Sequence, residues 1–448
     1  METVSTAPLV SGSPAPRRSV FALLLRCITT IAGLSLAAKG LGFLRDAAAA
    51  AIFGTSDAMD AYVLALSVPT LLAGLLGAAM PTAIIPAYAL AKRKGGSESA
   101  VAVVANGIFL QAMVATGICL LLALLSQPLM QVVAGEFGGE KMQLCRNLFL
   151  LLLLFSILYS IGNAATAGLQ AEKRFALGAL APAIVPLVAL VSLLLFHASF
   201  GIYAMAFGLV LGSLVYLVVL SKGLLKEFGS SCFIPKFQGH GCGQLLRDSS
   251  LLLIGGAVFG GCVMIDVSIA SRLEPGTVAT FGYADKVIGI VLSLAGVALG
   301  QSLLPYLADL SAANDLPGLR KMGWKISWAV IAVTIPMVLA LWFSADLVTQ
   351  LLFQRGEFDS SATARVADAL RWGSLQFPAA ALGIVASKMV VSMGGVRYMC
   401  VVSTIALIAN FFLDVALAPH FGLAGILIAT AIVHALSAGL LFLKTLRS

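Results

Sequence analysis

The sequence predicts an all-α polytopic membrane protein of about twelve transmembrane helices, built as two six-helix lobes related by a parallel pseudo-two-fold repeat. Three observations predict it. Hydrophobic residues fill 60% of the 448 positions and charged residues only 11%, whereas a water-facing surface needs about 25% charge. Apolar runs of about 20 residues or more, enough to cross a hydrocarbon core as a helix, recur along the whole chain. The loops between them alternate between rich and poor in Lys and Arg. Lipid offers the backbone no hydrogen-bond partner, so such runs are read as helices.

The apolar spans fall at 20–52, 61–90, 101–134, 144–168, 175–197, 201–221, 249–270, 278–308, 324–350, 364–392, 398–418 and 422–443. Residues 1–18, rich in Ser, Pro and Ala, read as a disordered cytoplasmic tail. The first apolar run mimics a signal peptide with Ala37-Ala38 as a cleavage site, but the chain stays apolar beyond it, so the run is read as retained. Twelve spans put both termini on one side. Arg17, Arg18, Lys92, Arg93, Lys94, Lys173, Arg174, Lys222, Lys226, Lys236, Arg247, Arg320, Lys321, Lys325, Arg397, Lys444 and Arg447 lie on that side, against Lys141, Arg272 and Arg355 on the other. This asymmetry of 17 to 3 places both termini in the cytoplasm.

The longest inner connection divides the chain. The organisation expected is a six-helix lobe over 19–222, a cytoplasmic linker over 223–248 and a second six-helix lobe over 249–448. Internal similarity supports it: Asp60-Ala-Tyr62 with Ile85-Pro86 parallels Tyr283-Ala-Asp285 with Leu304-Pro305, and Phe200-Gly201 parallels Phe421-Gly422. The offset is near 220 residues. Halves with an even number of spans share one orientation, which implies an axis along the membrane normal and a central cavity.

Composition also excludes functions. The net charge of +8 sits mostly in short loops and sets topology, so it does not point to nucleic acid. Seven scattered Cys without a Cys-x-x-Cys read as small buried hydrophobes. The four His have no metal-ligand spacing. Neither a phosphate-binding Gly-rich loop nor a nucleophile motif is present, so the chain does not read as an ATPase or other enzyme. The outer loops are short, which argues against a glycan ligase or polymerase. A non-transporting scaffold remains a rival reading.

Ionisable residues inside spans are costly and mark function by default. Lys39-Gly-Leu-Gly-Phe-Leu-Arg45-Asp46 is the first cluster. Neighbours on a helix point about 100° apart, so Arg45 and Asp46 are not expected to neutralise each other. The alternative is a helix end with snorkelling cations. Asp285-Lys286 mirrors this in the eighth span, and cations from both spans predict a cationic cavity for an anionic substrate such as a lipid diphosphate. Asn410 and Asp414, one helical turn apart, share a face; Thr430 lies in the next span and Asp266 in the seventh. Hard oxygen ligands without an obvious cation suit Na⁺, and equally a protonated or interhelically hydrogen-bonded Asp. Leu352-Phe-Gln-Arg-Gly-Glu-Phe358 reads as a polar loop with a turn, and Arg365, Asp368 and Arg371 as pairing along one face.

The run Lys39–Asp46, followed by Ile52-Phe-Gly54, Met59-Asp60-Ala-Tyr62 and Val68-Pro69, resembles the opening of the MurJ/MviN family, whose pattern is Ser-Arg-x-x-Gly-x-x-Arg-Asp, then Phe-Gly, Thr-Asp-Ala-Phe and Leu-Pro-Asn-Leu. Tyr283-Ala-Asp285-Lys286, Leu304-Pro305, Leu352–Phe358 and Ala418-Pro419…Gly422-Leu-Ala-Gly425 resemble family landmarks in the same order. The resemblance implies the fold of the multidrug/oligosaccharidyl-lipid/polysaccharide exporter superfamily, and flipping of lipid II, the undecaprenyl-diphosphate-linked peptidoglycan precursor. It implies substrate binding by Lys39, Arg45 and Lys286, cavity carboxylates at Asp46, Asp60 and Asp285, and a Na⁺ site of Asp266, Asn410, Asp414 and Thr430, with Na⁺ or H⁺ as coupling ion. The partners implied are the lipid-linked glycan and membrane lipids, with the chain a monomer. Departures are Lys39 and Lys286 where the family carries Arg, no paired Arg near Ala73 and Gly74, Met393 where an Arg is expected, and twelve spans where fourteen are usual. These leave another polyprenyl-linked glycan, or a multidrug or cation exporter of the superfamily, as alternatives.

Overall fold

The computed structural model describes residues 38–135, 137–236, 260–313 and 315–447. The expectations of an N-terminal tail over 1–18 and a retained first apolar run before residue 38 lie outside these residues, as does the linker beyond residue 236. Every described regular element is helical.

The helices are α1 (38–53), α2 (Asp57–Leu124), α3 (Ser126–Val133), α4 (Gly139–Ala171), α5 (Phe175–Leu180), α6 (Ile184–Phe200), α7 (Tyr203–Phe228), α8 (260–270), α9 (Thr277–Ala312), α10 (Leu316–Phe353), α11 (Ser360–Ser374), α12 (Gln376–Ser392), α13 (Val396–Phe421) and α14 (Leu423–Arg447). Gly96, with φ 72°, breaks α2 just after the basic Lys92-Arg-Lys segment, so its 68 residues carry two spans. α11 and α12 together make one span bent by 40°. The described helices fall on all twelve predicted spans, α1 and α8 in part. Exposed Trp328 and Phe343 on α10 face lipid.

In the first half α2 lies along α4, α4 on α7, and α7 on α6. In the second half α9 packs on α11 and α12, α12 on α14, and α14 on α13; the halves touch through α2 and α9. The internal repeat is visible at one corner. α6 ends at Gly201 (φ 54°, ψ −136°) and α13 at Gly422 (φ 56°, ψ −136°), each donating its N–H to the carbonyl four residues back at 2.8 Å. α7 continues to Phe228, beyond the expected lobe boundary at 222, and the following turn is pinned to α2 by Asn106, which exchanges two 2.8 Å hydrogen bonds with the backbone of Lys236.

One end of the bundle is closed by contacts between the halves. Gly54 and Gly356 both have positive φ (52° and 58°). A Cβ on Gly356 would sit 2.2 Å from the Ala51 carbonyl oxygen, and one on Gly54 2.5 Å from that of Glu357. Only glycine allows this approach, and it lets Glu357 N–H donate to Ala51 O at 2.9 Å. Phe353 and Phe358 flank the crossing and pack on Tyr283 at 5.3 and 5.4 Å between ring centres. The Phe353–Phe358 segment, read as a plain polar loop, is therefore part of the junction.

Candidate functional site: an interlobe cavity and two buried polar clusters

A cavity of about 470 Å³ lies between α1, α2, α8 and α9. Its wall is mostly aliphatic, with four charged residues: Arg45, Asp46, Asp285 and Lys286. Arg45 and Asp46 are buried, and they pair: Arg45 Nε and Nη2 donate to Asp46 Oδ1 at 2.9 and 2.5 Å. This corrects the expectation that helical neighbours cannot neutralise each other. That reading considered where the Cβ atoms point, but the long Arg side chain folds back onto the adjacent carboxylate. Asp285 and Lys286 are exposed to the cavity space. The described lining thus balances two cations with two carboxylates, correcting the expected cationic cavity. Lys39 is exposed on α1 and does not line this cavity.

Asp60 was expected as a cavity carboxylate, and the structure places it elsewhere. It is 1% exposed and spans the junction of the halves. Oδ2 accepts from Lys141 Nζ on α4 at 2.8 Å and from Gly276 N–H at 2.7 Å; Oδ1 accepts from Ala279 N–H at 2.7 Å. The carboxylate caps the start of α9, where free N–H groups and the helix dipole favour negative charge. Beside it Tyr283 O–H donates to Gly54 O at 2.9 Å, Ser271 Oγ to Val133 O at 2.9 Å and Arg365 to Thr55 Oγ1 at 2.7 Å. Lys141, read only as a loop charge, proves to be part of this lock. Its position at the start of the fourth span, opposite the turn before the second, was the one signal available. Arg365 and Arg371 do not pair with Asp368 along their helix: Arg371 pairs with Asp346 on α10.

The second polar cluster joins α8, α13 and α14. Asp266, Asn410 and Asp414 are at most 3% exposed and Thr430 is half-buried. Asn410 Nδ2 donates to Asp266 Oδ1 at 3.0 Å and to Asp414 Oδ2 at 3.1 Å, and Thr430 Oγ1 to Asp266 Oδ2 at 3.3 Å. Asn410 Oδ1 and Asp414 Oδ1 are buried without any hydrogen-bond partner. No described Lys or Arg reaches these carboxylates. All four residues proposed from sequence for an ion site are thus brought together, with oxygen atoms to spare. The set is not a His/Cys/carboxylate metal centre, since no group of three or more such residues occurs among the described residues; its donors are mixed carboxylate, amide and hydroxyl oxygens, the kind that suit a hard cation.

Comparison with known proteins decides the family. The profile described as "Lipid II flippase MurJ" matches residues 49–448. The chain belongs to the MurJ family. Within it, the chain is 28% identical over 360 residues to the lipid II flippase MurJ of Burkholderia cenocepacia, covering 78% of this chain and 69% of the relative. It is 26% identical over 448 residues to a probable lipid II flippase MurJ of Rhizobium tropici, covering 95% and 81%. Among solved structures, lipid II flippase MurJ in an inward closed conformation superposes with a TM-score of 0.79 at 18% identity, covering 94% of this chain and 88% of that one. An inward-facing multidrug resistance MATE family transporter of the MOP superfamily gives 0.79 at 16% identity, covering 91% and 94%. These two likenesses establish the MurJ and MATE fold, as the resemblance implied.

Proposed function

We propose that the chain flips lipid II, the undecaprenyl-diphosphate-linked peptidoglycan precursor, from the cytoplasmic to the periplasmic face of the bacterial inner membrane. MurJ proteins are transporters, so the chain is no enzyme. The observation that carries the reading is the cavity between the halves of a MurJ-family chain, whose largely apolar wall holds Arg45 and Lys286 beside their counter-charges Asp46 and Asp285. An amphiphile with an anionic linkage needs both features.

In this reading the diphosphate draws Arg45 away from Asp46, because a guanidinium binds phosphate oxygens bidentately. Lys286 adds a second positive point, and Asp46 and Asp285 hold the cations in place when the cavity is empty of substrate. Lys39, exposed on α1, meets the substrate before it reaches Arg45. The closed end, with Asp60, Tyr283 and the Gly54–Gly356 crossing, is periplasmic under the proposed topology, so the cavity faces the cytoplasm in this state. Opening that end breaks the contacts to Asp60, and closing the other completes an alternating-access cycle.

Asp266, Asn410, Asp414 and Thr430 would hold Na⁺, which supplies positive charge to two buried carboxylates; a proton on Asp414 is the second form. Either ion biases the cycle only by binding one state better than the other. The chain acts as a monomer among membrane lipids.

The test is depletion of the native lipid II flippase in a bacterial host with this chain supplied in trans. The expected result is restored exposure of lipid II at the periplasmic face, lost again in Arg45→Ala. A well-expressed chain that fails to restore exposure overturns lipid II as substrate and favours another polyprenyl-linked glycan.

A further inference from the structure

Two tyrosines stand 221 positions apart, at the offset of the internal repeat, and both line the cavity. They are used differently. Tyr283 on α9 spends its O–H on the Gly54 carbonyl and so ties the halves together. Tyr62 on α2 is 2% exposed, and its Oη has no hydrogen-bond partner. A buried phenol O–H without an acceptor is unfavourable, and native proteins leave few such groups without a reason. Phenylalanine would fill the same space without that penalty, and the family pattern Thr-Asp-Ala-Phe has phenylalanine here.

The neighbourhood says what the hydroxyl is for. Tyr62 lies within electrostatic reach of Arg45 and Asp46, the pair that neutralises itself in this state. Arg45 commits Nε and Nη2 to Asp46. An anion that takes those donors enters a pocket lined by Tyr62, whose O–H is committed to no other group, and by the Lys286 ammonium. We propose that Tyr62 is a substrate-recognition residue of this cavity: its phenol O–H donates to the phosphate group that displaces Asp46 from Arg45. The inference rests on the flippase reading and adds a specificity element to it. The phenol donates one directed hydrogen bond and carries no charge, so it strengthens binding of a phosphate oxygen without drawing in other anions from a distance. Its cost in the empty state helps binding, since the unmet donor is satisfied only when the anion arrives.

The experiment titrates undecaprenyl diphosphate onto the purified full chain in nanodiscs, wild type against Tyr62→Phe, with lipid II flipping measured in parallel. Tyr62→Phe keeps the ring and its packing, so the thermal transition should stay where it is. The expected result is a Kd raised about tenfold, the loss of one hydrogen bond to a charged group, with the flipping rate at saturating lipid II retained. An unchanged Kd overturns the inference. So does an unchanged Kd with a slower saturated rate, which would assign the hydroxyl to a step of the cycle instead. Wild-type chain that binds undecaprenyl diphosphate without flipping lipid II removes the flippase reading but leaves the Tyr62 comparison decisive. Wild-type chain that binds none overturns both.

Discussion

Two buried polar clusters sit in this membrane protein and are satisfied in opposite ways. At the closed junction one carboxylate, Asp60, receives three donors from both halves of the molecule. In the α8–α13–α14 cluster two carboxylates and an amide share the donors of one Asn and one Thr, and two oxygens are left over. Burying a charge without partners is costly. The first arrangement therefore explains itself as a lock that holds the halves together. The second leaves two buried oxygens without a donor, and that is the observation on which the ion proposal rests.

The comparison is most sharply broken at the unsaturated cluster. Asp414→Ala should abolish transport, with flipping down by about two orders of magnitude if coupling depends on this charge. Replacing Na⁺ by choline should slow the wild type and leave Asp414→Asn indifferent; a wild type indifferent to Na⁺ but steeply dependent on pH would assign the site to a proton. At the lock, Asp60→Asn presents an amide NH₂ to donors that need an acceptor, at a cost of about 1–3 kcal/mol. Labelling of Ser271→Cys, buried at the junction, by a water-soluble maleimide should then speed up, because the closed end is populated less. Gly356→Ala should act in the same direction, since its Cβ has to displace the Ala51 carbonyl. Lys141→Ala should have a smaller effect, because the two backbone N–H donors to Asp60 remain.

The smallest effect concerns Asp359, which caps α11 in the loop after α10. Its carboxylate accepts from Ala362 N–H at 2.7 Å, and that bond, with smaller help from Ser361 and Arg365, holds its pKa below the usual carboxylate range. A lowered folded-state pKa means the cap contributes at neutral pH and is lost as pH falls through that lowered value. Asp359→Asn should keep most of the cap and flatten this part of the acid limb of a thermal melting profile.

Much of this was legible in the sequence. Hydropathy and the alternation of basic loops gave the spans, because lipid admits few other solutions. Phe200-Gly201 and Phe421-Gly422 announced two corners with nearly identical dihedrals. The Asn410–Asp414 spacing put two oxygen-bearing residues on one face, and Asp266 and Thr430 stood out as polar residues inside neighbouring spans, a set the family resemblance matched. The misreadings share a physical cause. Arg45 and Asp46 were judged by the direction of their Cβ atoms, which says little about a side chain as long as arginine. Asp60 was placed in the cavity because the family resemblance implied it, but its partners are Lys141 and two backbone N–H groups more than 200 residues away. Backbone donors leave no mark in a sequence. The Gly54–Gly356 crossing was hidden for the same reason, since each glycine is explained only by the other segment's carbonyl.

The most direct test uses purified chain in proteoliposomes loaded with lipid II, following how fast the lipid becomes accessible at the outer leaflet. The account predicts flipping by the wild type, a loss of about two orders of magnitude in Arg45→Ala, and retained folding in both. Equal flipping by wild type and Arg45→Ala, or none by a folded wild type under an imposed Na⁺ or proton gradient, would contradict it.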